Sequence, residues 1–96
     1  MKKKIQELIF SSINELNEIL EDDKKISLSE KTILLDPSGG LDSLSFFNFI
    51  LSLEKKINGE FHKNIILTDL DQIDYNDNPF KNVQKMTNHI EKLIKN

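Results

Sequence analysis

The sequence predicts an all-α fold made of three longer helices, one short helix and a long first loop. Apolar residues keep the helical period in three well-separated segments. The stretch between the first two loses that period and gathers serine, proline and glycine. At 96 residues the chain suffices for one small domain, residues 1–96, with a modest core. Cysteine is absent, which excludes a disulfide staple and a thiolate metal site. Neither an internal repeat nor a low-complexity segment interrupts this organisation.

The first helix is expected from about Lys2 to Glu21. Ile5, Leu8, Ile9, Ile13, Leu16 and Leu20 recur at helical spacing, with polar residues between them. The opening Met1-Lys2-Lys3-Lys4 is not followed by a continuous apolar stretch, so the segment reads as a folded amphipathic helix rather than a signal peptide. Asp22-Asp23-Lys24-Lys25 breaks the pattern. Leu28, Ile33, Leu34 and Leu35 are too apolar for a free linker, so the loop from Asp22 to Gly40 is expected to pin itself across the core.

The second helix is expected from Ser43 to about Asn58, with Asn58-Gly59 as its stop. Sorted at about 100° per residue, its apolar positions form two stripes. Phe46, Phe49, Ile50, Leu53 and Ile57 make a complete core-facing stripe. Leu44, Phe47 and Leu51 form a second, pointing away from the first, with Ser45, Asn48, Ser52 and Lys56 between the stripes on one side. Burying such a side chain stabilises by roughly 1.5–3 kcal/mol. Leaving three of them outside favours a docking ridge for a partner protein.

Glu60 to Leu67 reads as a connection anchored by Phe61, Ile65, Ile66 and Leu67. Thr68 is expected to cap a short helix through about Ile73, and Asp74 to Pro79 forms a turn-rich loop. Asn82 is expected to cap the last helix, in which Val83, Met86, Ile90, Leu93 and Ile94 keep the helical period.

The run Gly40-Leu41-Asp42-Ser43-Leu44 is the candidate site. It places a serine hydroxyl in the first turn of the second helix, where unpaired backbone N–H groups and a partial positive charge favour an anion. A phosphate ester on Ser43 suits that position. Asp42 is a good N-cap, and Gly39-Gly40 permits a sharp turn into the helix.

Other chemistries find little support. The net charge of −3 gives nucleic-acid binding no electrostatic drive, and every basic residue is lysine, so no arginine fork exists. No stretch is long and apolar enough to span a membrane, which points to the cytoplasm. A serine hydrolase needs a base and an oxyanion hole; His62 and His89 lie in no catalytic motif, and no nucleophile elbow occurs. Asp74-x-Asn76-x-Asn78 imitates a calcium loop, but Pro79 replaces the turn glycine and Lys85 the final glutamate. Gly39-Gly40 lacks the rest of any nucleotide-binding motif.

With these residues in view, the chain resembles an acyl carrier protein of the specialised stand-alone bacterial type. The likeness rests on Gly40-Leu41-Asp42-Ser43-Leu44, on the continuation Phe46-Phe47-Asn48-Phe49-Ile50-Leu51, and on Asn82-Val83-Gln84 opening the last helix. The resemblance implies a four-helix bundle of acyl-carrier type, a phosphoprotein rather than an enzyme. It implies that Ser43 carries 4′-phosphopantetheine derived from coenzyme A, with Asp42 as the flanking acid of the motif. A phosphopantetheinyl transferase would install the arm, whose thiol holds an acyl or aminoacyl group as a thioester. An activating ligase would load it, and downstream transferases of a fatty-acid-like or specialised biosynthetic pathway would unload it. Leu44, Phe47, Asn48, Leu51 and Glu54 map onto the face such carriers present to their enzymes, and a monomer is implied. Ser45 and Asn48 stand where fatty-acid carriers are often acidic, and Lys55 and Lys56 follow Glu54. Recognition then falls more on apolar contact than on long-range attraction. The rival reading is an unmodified helical adaptor that binds a partner through Leu44, Phe47 and Leu51.

Overall fold

The computed structural model describes residues 1–36, 39–67 and 78–95. Helices α1 (Lys2–Asn17), α2 (Ser43–Phe61) and α3 (Val83–Lys95) dominate them, with a 3-10 turn at Asp22–Lys24 after α1. Strands β1 (Leu35–Asp36) and β2 (Gly39–Gly40) add only a two-residue antiparallel ladder, in which Leu35 faces Gly40 and Asp36 faces Gly39. The all-α class holds. The short helix expected from Thr68 to Ile73 lies outside the described residues, as does the Asp74–Pro79 turn before Asn78.

α1 packs against both α2 and α3. Each helix contributes one buried stripe: Ile5, Ile9, Ile13 and Leu16 from α1, and Val83, Met86, Ile90 and Ile94 from α3. From α2 come Phe46, Phe49, Ile50, Leu53 and Ile57, the stripe expected from the periodicity. Phe46 is the aromatic hinge of this core. Its ring lies 6.2 Å from Phe49 and packs edge-on against Phe80 at 5.9 Å, an arrangement favoured by ring quadrupoles.

Two helix ends differ from expectation. α1 stops at Asn17 rather than Glu21, and only a hydrogen-bonded turn continues to Leu20. The Asn17 amide is turned outward to grip the loop: its Nδ2 donates to the Ile26 carbonyl at 2.9 Å, and the Ile26 N–H donates to its Oδ1 at 3.0 Å. α2 passes through Asn58-Gly59 and ends at Phe61, which packs half-buried against the core. The chain reverses at His62, whose φ of 55° is left-handed and whose N–H donates to the Asn58 carbonyl. Asn58 repeats the Asn17 device. Its Nδ2 donates to the Ile65 carbonyl at 3.1 Å and its Oδ1 accepts from the Ile65 N–H at 2.9 Å.

The long first loop does cross the core, though not with every apolar residue. Leu34 is fully buried, Ile33 and Leu35 half-buried, while Leu28 stays exposed. Its backbone also completes the start of α3: Val83 N–H donates to the Thr32 carbonyl and Gln84 N–H to the Glu30 carbonyl. Asn82 adds the expected cap, its Oδ1 accepting from Lys85 N–H at 2.8 Å. Asn78 closes the arrangement by donating to the Leu35 carbonyl at 2.8 Å. The same loop thus touches the beginnings of both α2 and α3.

Candidate functional site

The approach to Ser43 is fixed from behind. Leu41 N–H donates to the Leu34 carbonyl at 3.0 Å, and Gly40 adopts φ +95° directly against that carbonyl. A Cβ at Gly40 would stand 2.8 Å from the Leu34 oxygen, so the close approach requires glycine. Asp42 then takes an extended conformation and caps α2, its Oδ1 accepting from Ser45 N–H at 2.7 Å. Its carbonyl accepts from Phe46 N–H at 2.9 Å. Hydrogen bonds from Ser45, first the backbone N–H and then the hydroxyl, hold the Asp42 carboxyl below the usual carboxylate range.

Ser43 is the first residue of α2 and is exposed. The expected ridge lies on the same helix. Leu44, Phe47 and Leu51 are 72%, 42% and 36% exposed, whereas Phe46 and Phe49, one and two positions from Phe47, are buried. Asn48 is exposed beside them. Ser45, Asp42, Leu41, Ile33, Thr32 and Lys24 line part of an open groove of about 730 Å³ on the loop side of the helix start.

Glu54 has an internal partner as well as its place on the ridge. It is half-buried, and its Oε1 accepts from the Leu67 backbone N–H at 2.6 Å. Together with Asn58 it holds the segment 63–67 along α2. Ile66, between the two held residues, is 68% exposed and adds apolar surface to that flank. The Ile65-Ile66-Leu67 run reads in sequence as three core anchors, and spacing alone does not show that the middle one turns outward.

Ser52 and Lys56, between the two stripes, face α1. Lys56 Nζ donates to both carboxylate oxygens of Glu15 at 2.8 and 2.7 Å, and Ser52 Oγ donates to Glu15 Oε2 at 2.8 Å. These hydrogen bonds, Lys56 first, lower the Glu15 pKa. His62 closes α2 at the end opposite Ser43, about 28 Å along the axis at 1.5 Å per residue. His89 packs edge-on against Phe80 at 5.4 Å. Among the described residues no helix is long and apolar enough to cross a membrane, and no three metal-ligating side chains cluster.

No family model, curated protein or solved structure matches the chain. The class defined by fold and site is a small all-α domain with an exposed serine at a capped helix start and an apolar ridge leading away from it.

Proposed function

We propose that the chain is a carrier protein of acyl-carrier type, a four-helix bundle that holds an acyl or aminoacyl group on a 4′-phosphopantetheine arm attached to Ser43. The observation that carries the reading is the exposure of Ser43 in the first turn of α2, immediately after an N-cap aspartate. That position fits the group: the hydroxyl is reachable, and the unpaired N–H groups of the first turn favour the negative phosphodiester. The arm, when present, supplies a thiol that carries cargo as a thioester.

This chain's own residues do the rest. Gly40 and the Leu34 carbonyl fix where the helix begins, and Asp42 fixes its first turn, so Ser43 is offered at a constant place. Leu44, Phe47 and Leu51, with Asn48 and Glu54, form the surface for the phosphopantetheinyl transferase, the loading ligase and the downstream transferases. Apolar contact dominates that surface, since its only acid is already engaged with Leu67. The expected setting is a cytoplasmic monomer.

The adaptor reading draws on the same exposed ridge and differs in leaving Ser43 bare. Intact-mass measurement after incubation with coenzyme A, Mg²⁺ and a broad-specificity phosphopantetheinyl transferase separates the two. One added arm, lost in Ser43→Ala, supports the carrier; an unmodified chain that is folded by circular dichroism rejects it.

A further inference from the structure

The outer face of α3 carries a concavity independent of Ser43. Pro79, Lys85, Asn88, His89 and Lys92 line a groove of about 290 Å³. Lys85, His89 and Lys92 stand at i, i+4 and i+7, one stripe of a helix. Both lysines supply ammonium donors, Asn88 an amide NH₂ and His89 a ring N–H. Among the described residues ion pairs form at Lys2, Lys4, Lys25, Lys56 and Lys95, and at neither Lys85 nor Lys92. Among the described residues no carboxylate lines the groove. In a chain of net charge −3 the described lining of this groove therefore carries positive charge alone.

The imidazole between the two lysines is held in place. Its ring meets Phe80 at 5.4 Å and 80°, and Phe80 in turn meets Phe46 at 5.9 Å and 68°, so the ring is anchored to the core. Burial, and then Lys92, push the His89 pKa below its ordinary value. The ring carries a donor N–H in either protonation state.

We propose that this groove binds a small phosphate monoester, its phosphate lying between the Lys85 and Lys92 ammonium groups with His89 donating to it. Several donors along one stripe, two of them cationic, suit a dianionic group with three terminal oxygens better than a monoanionic carboxylate. The groove volume leaves room for a small organic substituent. Lysine without arginine favours point-charge contact over the forked recognition used on nucleic-acid backbones.

The two histidines make the test internal. The ring resonances of His62 and His89 are followed by NMR against pH in the full chain, with glycerol phosphate or with sodium chloride at equal ionic strength. A bound dianion offsets Lys92 and raises the His89 midpoint by about half a unit or more, saturably, while exposed His62 does not move. Lys85→Gln and Lys92→Gln, both exposed substitutions, each weaken the apparent affinity about tenfold, the loss of one charge-assisted hydrogen bond. Unsaturating movement of both histidines together overturns the proposal, as does an undiminished His89 response in the two variants. Succinate reproducing the effect at the same concentration overturns the phosphate assignment.

Discussion

The Glu54 carboxylate accepts a hydrogen bond from the Leu67 backbone N–H at 2.6 Å, and Leu67 is buried. A carboxylate of the proposed docking surface therefore also holds the segment that follows α2. Glu54→Ala is expected to cost about 1–2 kcal/mol, because a buried donor loses a charged acceptor. Glu54→Gln keeps an acceptor and stays closer to wild type. Urea unfolding together with hydrogen exchange at the Leu67 amide reads both effects, and unchanged Leu67 protection in Glu54→Ala would contradict the assignment.

Gly40 and Gly59 should respond to alanine in opposite directions. Gly40 has φ +95° and faces the Leu34 carbonyl, so Gly40→Ala is destabilising by more than about 1 kcal/mol. It also shifts the chain leading to Ser43, and transfer onto Ser43 should slow. Gly59 lies inside α2 with nothing within 4 Å of an added Cβ. Gly59→Ala should stabilise by about 0.5–1 kcal/mol. Chemical denaturation midpoints decide the pair, and a shared sign would refute the geometry.

Adjacent phenylalanines separate surface from core. Phe47→Glu should leave the circular dichroism spectrum intact and change stability by about 0.5 kcal/mol or less, while impairing modification or loading. Phe46→Ala and Phe49→Ala should each cost about 3–5 kcal/mol, a large part of a small domain's stability. Global unfolding by Phe47→Glu would show that the ridge belongs to the core.

Acid should loosen the helix start and the contact between α1 and α2. Asp42 and Glu15 both have folded pKa values lowered by hydrogen bonds, from Ser45 and from Lys56 respectively. Their stabilisation is complete above the ordinary carboxylate range near pH 4 and is lost as pH falls through the lowered values. The double variant Asp42→Asn, Glu15→Gln should show a shallower fall of melting temperature between pH 5 and pH 2. An equally steep fall would reject the linkage.

How far the sequence carried these conclusions depended on the range of the interactions. The three helical stripes were legible because periodicity is local, and so were the caps Asp42 and Asn82, which act within three residues. The division of α2 into buried Phe46 and Phe49 and exposed Leu44, Phe47 and Leu51 followed from angle alone. The α2 terminus did not follow. Asn58-Gly59 has the composition of a stop, yet Asn58 grips Ile65 seven residues away and the reversal falls on His62. Glu54 to Leu67 spans thirteen residues, and the Asn78 contact with Leu35 spans forty-three. No window-based pattern registers such pairs. The exposed Ile66 went unread for the same reason.

The asparagines Asn17, Asn58 and Asn78 each use both ends of a side-chain amide on backbone, which gives the molecule a particular chemical ageing. Deamidation would replace an NH₂ donor by an anionic oxygen pointed at a carbonyl, turning a clasp into a repulsion. Asn58 precedes Gly59, the neighbour least able to obstruct ring closure, but the helix keeps that peptide nitrogen occupied. The shelf life of the segment after α2 is thus set by how often its last turn opens, and peptide mapping of stored protein should find conversion at Asn58 rising with temperature.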